Sequence, residues 1–98
     1  MRHLLSFLFF LITLSFFAQT SVHGVVKDSE GEPIPFANVF FKNTNEGTIT
    51  EEDGTFSLSS SGHRSTLVVS FVGYKSQEIS LREARPGLVI ILEEDASN

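Results

Sequence analysis

The residues of this chain that are best suited to chemistry are three consecutive acids, Glu51, Glu52 and Asp53, within the stretch GTITEEDGTFSL. Carboxylates beside a glycine resemble a calcium loop, which needs further oxygen ligands at alternating positions. Asn43 and Asn45 offer such oxygens, but the strand-like TIT separates them from the acids, and the D-x-[DN]-x-[DN]-G pattern is missing. Calcium binding is therefore an alternative. The main prediction is a solvated turn in which Asp53 accepts backbone hydrogen bonds.

Other constellations that carry chemistry are missing from the sequence. The histidines, His3, His23 and His63, have no H-x-x-H or H-E-x-x-H spacing, and there are no cysteines to complete a zinc site. No serine lies in a G-x-S-x-G elbow, and the glycines form no phosphate-binding motif. The sequence therefore predicts no catalytic, metal-binding or cofactor-binding residue. His23 is expected on the exposed face of a strand and His63 in a loop.

Aromatic side chains suggest a second possible kind of site. Phe40 and Tyr74 are predicted to be exposed, whereas the other aromatic residues after the N-terminal segment, among them Phe36, Phe41, Phe56 and Phe71, fall mostly on expected core positions. Exposed rings on a small β-sandwich can stack against sugars. A carbohydrate- or peptide-binding module is therefore the alternative function.

The N-terminal segment MRHLLSFLFFLITLSFFAQ predicts export. A basic residue, Arg2, precedes an apolar stretch that is shorter than the roughly 20 residues of a membrane-spanning helix, and Ala18 is a small residue suited to signal peptidase. We predict a signal peptide at residues 1–18, with cleavage after Gln19 or retention as a membrane anchor as alternatives. The absence of cysteine excludes disulfides and lipid attachment through cysteine. After cleavage no membrane span is expected.

Charge narrows the range of partners. The whole chain has seven basic and twelve acidic residues. Loss of Arg2 with the signal peptide leaves six bases against twelve acids, a net charge of −6. Such a surface repels nucleic acids and anionic lipid headgroups, so neither is predicted as a partner. The remaining chain, of about 80 residues, is long enough for a single hydrophobic core.

The residues after the signal peptide read as short strands separated by turns. Apolar residues alternate within short runs, turn residues recur between the runs, and no helical periodicity is sustained, which predicts an all-β sandwich. In FANVFFK the alternation assigns Ala37, Val39 and Phe41 to the core. The EEDG turn predicts a hairpin between TIT and TFSLS, with Gly54 at positive φ. Phe56 and Leu58 are then expected to face the core.

Three stretches, GVVKDSEGEPIPFANV, GTITEEDGTFSL and LVVSFVGYKSQEISL, resemble the carboxypeptidase-like regulatory domain family over almost all of residues 22–92. Members of that family precede the plug of many TonB-dependent outer-membrane receptors of the starch-utilisation type. The resemblance implies a transthyretin-like, seven-stranded Greek-key sandwich without catalytic activity.

These observations predict a signal peptide at residues 1–18, a β-sandwich at residues 19–95 and a tail at residues 96–98. In the receptors the strand that matches LVIILEED leads into a plug, whereas this sequence stops at Asn98. The expectation is either a free-standing domain or the front of a longer protein, so transport is not predicted for these residues. The predicted function is a non-enzymatic accessory module that contacts an outer-membrane or periplasmic protein.

Overall fold

The structure is a computed structural model that describes residues 19–81 and 87–95. These residues form no helix, and so no helix that could cross a membrane. The strands are β1 (Thr20–Asp28), β2 (Asn38–Phe41), β3 (Gly47–Ile49), β4 (Thr55–Ser60), β5 (Thr66–Ser70), β6 (Gln77–Ser80) and β7 (Leu88–Leu92). The predicted signal peptide, most of the REARPG turn and the tail at residues 96–98 lie outside the described residues.

The strands form two sheets, with the order β4-β1-β7 in one and β3-β2-β5-β6 in the other. This arrangement confirms the predicted all-β, seven-stranded sandwich. β1 and β7 are parallel, whereas the other strand pairs are antiparallel. A parallel pair needs a long connection between its strands. Here all four strands of the second sheet lie between β1 and β7 in the chain. The first and last strands of the fold are therefore neighbours in the same sheet.

The core lies between the sheets and follows the period of two along each strand. The buried apolar side chains from the strands are Val22, Val26, Phe56, Leu58, Ile90 and Leu92 in one sheet and Val39, Phe41, Leu67 and Val69 in the other. Ile34 and Ala37 join them from the connection that enters β2. The predicted core positions on both sides of the EEDG turn are therefore confirmed.

The predicted hairpin at EEDG is wrong about strand pairing. The turn itself is tight, since the Glu51 N–H donates to the Thr55 carbonyl at 2.9 Å and the Gly54 N–H donates to the Glu51 carbonyl at 2.8 Å. The strands on either side then separate, because β3 pairs with β2 while β4 pairs with β1 in the other sheet. β1 offers β4 a register of six residues, whereas β3 has only three. The turn therefore crosses from one sheet to the other.

The turns gather at the two ends of the sandwich. One end, which we call the acidic end, is formed by residues 29–37, 50–54, 71–76 and 93–95 together with the adjoining Asp28. The other, which we call the network end, is formed by residues 42–46 and 61–65 together with the start of β1 and the end of β4. The strand registers place these segments at opposite ends of the strands.

Candidate functional site

The three consecutive acids lie on the surface of the acidic end. Glu51, Glu52 and Asp53 are all exposed. Asp53 Oδ1 accepts hydrogen bonds from the Thr55 hydroxyl at 2.6 Å and from the Thr55 N–H at 3.1 Å. The hydroxyl, followed by the backbone N–H, lowers the pKa of Asp53 below its ordinary value. The predicted backbone hydrogen bond to Asp53 is therefore confirmed, and this carboxylate stabilises its own turn.

Gly54 fixes the turn against β1. Its φ is +80°, as the sequence predicts, and its carbonyl accepts a hydrogen bond from the Val26 N–H at 2.8 Å. A Cβ at this position would lie 2.6 Å from the Val26 carbonyl oxygen and 3.0 Å from Cβ of Pro33. Only glycine fits both the backbone conformation and the space. The acids are thus displayed by a turn whose base is packed tightly.

The calcium alternative finds no assembled ligand set. Asn43 and Asn45 lie in the turn that follows β2, at the network end, whereas Glu51 and Asp53 lie beyond the other end of β3. In the ranges 19–81 and 87–95, no group of three or more His, Asp and Glu side chains is arranged to hold a metal ion. The structure therefore separates the residues that the sequence offered as joint ligands.

The two histidines of the described chain lie where the sequence places them. His23 is exposed in β1, opposite Ser57 of β4, and His63 is exposed in the loop between β4 and β5. They are not close in sequence to the acid turn, and neither side chain is buried. The structure does not bring them together with the predicted acids.

Phe40 lines an open depression on the outer face of the four-stranded sheet. The ring is half-buried opposite Gly47 of β3, where an added Cβ would lie 2.8 Å from Cβ of Phe40. The depression has a volume of about 490 Å³, and its other side chains include Asn38, Asn45 and Ile49. An aromatic ring therefore lies beside two amide side chains on one open surface.

Tyr74 and Phe36 depart from the sequence prediction in opposite directions. Tyr74 is half-buried and packs on Phe71, with ring centroids 5.9 Å apart, so its ring serves packing. Phe36, which was expected in the core, is 58% exposed. Its φ is +62°, in the left-handed region, and its N–H donates to the Thr50 carbonyl at 2.9 Å. This turn, directly after Pro35, points the ring to the surface instead of the core.

Val72 is a second exposed apolar residue at the acidic end. Its exposed fraction is 91%, and it lies in the turn that follows β5. Asn38 and Ser70 form the last registered pair between β2 and β5. Phe36 and Val72 each lie two residues beyond that pair, so both occupy the same end of the same sheet. The alternation of apolar residues within the strands does not predict that Phe36 or Val72 is exposed, because both residues lie outside the strands.

Most of the chain's acids lie at the acidic end. Nine of the twelve acidic residues are there, namely Asp28, Glu30, Glu32, Glu51, Glu52, Asp53, Glu93, Glu94 and Asp95. Asp28 Oδ1 accepts hydrogen bonds from the N–H groups of Glu30 and Glu32, both at 2.9 Å. Lys75 lies at the same end, and Lys27 directly precedes Asp28 in β1. This end therefore carries a strong negative charge.

At the network end, the charged side chains of Glu46 and Arg64 bind each other and neighbouring polar groups of the same chain. Oε1 of Glu46 accepts hydrogen bonds from the Ser60 hydroxyl at 2.8 Å and from Nε of Arg64 at 2.9 Å, and Nη2 of Arg64 lies 2.8 Å away. The Ser60 hydroxyl and then Arg64 lower the pKa of Glu46. The Arg64 N–H also donates to the Thr20 hydroxyl, which donates to the Gly62 carbonyl. The sequence pattern gives no sign of this network, because its members are far apart in the chain.

The family comparison agrees with the fold. A family model described as the CarboxypepD_reg-like domain matches residues 22–98. The chain is 43% identical over 86 residues to the TonB-dependent receptor SusC of Bacteroides thetaiotaomicron, covering 88% of this chain and 8% of the receptor. It is 37% identical over 68 residues to the TonB-dependent receptor P39 of Formosa agariphila, covering 69% of this chain and 7% of that receptor. The chain thus spans less than a tenth of either relative.

A solved structure supports the same architecture at low identity. It is the crystal structure of an N-terminal interface mutant of the type II Cohesin-X-Dockerin complex from Acetivibrio cellulolyticus. A chain of that complex matches with a TM-score of 0.62 and 16% sequence identity, covering 76% of this chain and 58% of the other. At this identity the similarity concerns the fold alone.

Proposed function

The chain belongs to the CarboxypepD_reg-like domain family, and on this premise we propose that it is an exported, non-enzymatic accessory module of a TonB-dependent uptake or surface-assembly system. Residues 1–18 act as the signal peptide, and the sandwich contacts a protein in the periplasm or at the outer membrane. The module contributes binding surfaces, and transport belongs to its partner.

The similarity to the two TonB-dependent receptors is the observation that carries this proposal. Two receptors from different bacteria each match most of this chain with less than a tenth of their own length. A stretch of that kind corresponds to a discrete domain, and the sandwich described above has its own core. The same domain is thus associated with TonB-dependent receptors in both relatives.

Cross-linking in intact cells tests the proposal. The full chain carries a photo-reactive amino acid at position 72, where the native side chain is 91% exposed, and is expressed in a bacterium with a TonB-dependent outer membrane. We expect the purified product to start at residue 19 or 20 and to cross-link to an outer-membrane protein. Leu11→Arg, placed in the apolar part of the predicted signal peptide, is the control and should keep the chain uncut in the cytoplasm.

An uncut wild-type chain in the cytoplasm would refute the proposed export. A cleaved chain that recovers no outer-membrane component from either position 72 or a second photo-reactive position, 89, would refute the proposed partnership. Position 89 is chosen because Val89 is 67% exposed on the other sheet.

The depression around Phe40 favours carbohydrate or peptide binding as a second candidate function. An aromatic face next to Asn38 and Asn45 offers stacking together with amide hydrogen bonds. A glycan array and a peptide library test this candidate directly. A hit should be lost in the double variant Asn38→Ala, Asn45→Ala and kept in Val89→Ser, whereas silence on both arrays would remove the candidate.

A further inference from the structure

Phe36 and Val72 give the acidic end an apolar surface that the described chain leaves open to solvent. Their exposed fractions are 58% and 91%. Apolar side chains that remain exposed together, with a polar rim, are typical of protein interaction sites. The turn that contains Phe36 is fixed by a backbone hydrogen bond, because the Phe36 N–H donates to the carbonyl of Thr50, a buried residue. The ring is therefore presented by an ordered turn.

The charges around this apolar surface select the chemistry of its partner. Glu51 directly follows the Thr50 to which the Phe36 backbone is bonded, and the other eight carboxylates of the acidic end lie in the adjoining turns or, for Asp28, at the end of β1. Glu46 and Glu78, which form ion pairs with Arg64 and Lys42, do not belong to this end. Carboxylates at the same end as exposed apolar side chains complement a partner that presents basic groups together with apolar side chains.

A second copy of the chain offers little of that complement. Of the four Lys and Arg residues in the described ranges, Lys42 and Arg64 each form an ion pair within their own chain, with Glu78 and Glu46 respectively. The other two, Lys27 and Lys75, lie at or beside the acidic end, among the same carboxylates. Anionic lipid is repelled by the same carboxylates. Both considerations favour a different protein as the occupant.

We propose that the acidic end, with its exposed Phe36 and Val72, is a docking surface for a basic protein segment in which Lys or Arg alternates with apolar residues. The proposal rests on the proposed role as a contact module and adds the surface and the chemistry of the partner. The apolar side chains cover Phe36 and Val72, and the basic groups face the surrounding carboxylates. Binding then weakens as salt is added.

Three short synthetic peptides test this surface on the exported, purified chain by fluorescence anisotropy. One alternates Lys with Leu, one alternates Lys with Ser, and one alternates Glu with Leu. We expect the Lys-Leu peptide to bind about tenfold more tightly than the Lys-Ser peptide, because only the former buries apolar surface. The Glu-Leu peptide should not bind measurably.

Two substitutions separate the apolar contribution from the charge. Phe36→Asn removes the ring and keeps a residue that tolerates positive φ, and Val72→Ser changes an almost fully exposed side chain, so both variants should fold. Each should weaken Lys-Leu binding by several-fold and leave Lys-Ser binding unchanged. Val89→Ser is the matched control, because it removes an exposed apolar side chain from the other sheet, and it should bind both peptides as the native chain does.

Equal binding of the Lys-Leu and Lys-Ser peptides would overturn the proposal, because charge alone would then explain it. Native-like binding by both Phe36→Asn and Val72→Ser would overturn it as well. The purified system contains no envelope partner, so these failures leave the cross-linking result of the proposed function standing. Conversely, if the peptides bind with the expected pattern but no outer-membrane protein is cross-linked, the proposed docking surface is supported and the proposed outer-membrane partnership is rejected.

Discussion

The two ends of the sandwich handle charge in opposite ways. At the network end, Glu46 and Arg64 neutralise one another and bind Ser60. At the acidic end, carboxylates crowd the surface, and the turns are held mainly by groups without charge, the Gly54 backbone and the Thr50 hydroxyl. Charge therefore joins distant segments at the network end, whereas at the acidic end it is concentrated on the surface that we propose for docking.

This division has a physical reason. Exposed ion pairs contribute little stability, but a carboxylate that joins distant segments through several hydrogen bonds fixes their arrangement. Like charges collected at one end raise the free energy of the folded state unless a partner neutralises them. Apart from the hydrogen bonds that Asp28 and Asp53 accept within their own turns, uncharged contacts must therefore hold the acidic end together. Substitutions at those contacts should destabilise the protein more than loss of any carboxylate.

The largest loss is expected for Gly54→Val. The new Cβ would lie 2.6 Å from the Val26 carbonyl oxygen, and valine strongly disfavours a φ of +80°. We expect the free energy of unfolding, measured by urea denaturation, to fall by about 3–5 kcal/mol. Gly31→Val is the control, because Gly31 has a φ of +86° with no atom within 4 Å of the added Cβ.

The control variant should lose only about 1–2 kcal/mol from the backbone conformation. Glu51→Gln, in the same turn as Gly54, should leave unfolding almost unchanged because its side chain is exposed. If Glu51→Gln cost more stability than Gly54→Val, the turn would depend on its charge, and the contrast between the two ends would fail.

A smaller loss is expected for Thr50→Val. The Thr50 hydroxyl accepts a hydrogen bond from the Ala37 N–H at 2.9 Å and donates to the Ile34 carbonyl at 2.6 Å, and the residue is only 1% exposed. Valine has the same shape but leaves both backbone groups without this partner. The free energy of unfolding should fall by about 2–3 kcal/mol in urea denaturation. Thr50→Ser keeps the hydroxyl and should restore most of it.

The sequence predicts what depends on neighbouring residues. Alternation identifies the core positions Val39, Phe41 and Phe56, since a strand places every second side chain on the same face. Positive φ at Gly54 follows from turn chemistry within EEDG. The family resemblance predicts the complete fold, because its three stretches extend over most of the sandwich.

What the sequence does not predict depends on distant partners. An Asp-Gly turn signals a reversal of the chain, but it does not tell whether the next strand returns beside β3 or crosses to the other sheet, and here β1 is the longer partner for β4. Exposure of Phe36 follows from a turn that bonds to Thr50, fourteen residues along the chain. The contact of Glu46 with Arg64 joins residues eighteen apart and leaves no periodic signal.

A smaller, pH-dependent effect, which tests the network end, is expected for Glu46→Gln. The folded protein lowers the pKa of Glu46, so its ionised form is stabilised by folding. That contribution is fully present above the ordinary pKa of 4.5 and is lost as the pH falls through it towards the folded value. The difference in thermal midpoint between the native chain and Glu46→Gln should therefore be constant near neutral pH and shrink in acid.

Asp53→Asn is a useful comparison for Glu46→Gln, because the folded protein lowers the pKa of Asp53 as well. Its hydrogen bonds reach only to Thr55, two residues away, and such local bonds form in part in the unfolded chain, so less of their effect counts towards folding. Glu46 joins Ser60 and Arg64 across long loops, which the unfolded chain does not maintain. The acid-dependent loss should therefore be larger for Glu46→Gln than for Asp53→Asn. Glu78→Gln, which breaks an exposed ion pair, should change the thermal midpoint at neutral pH very little.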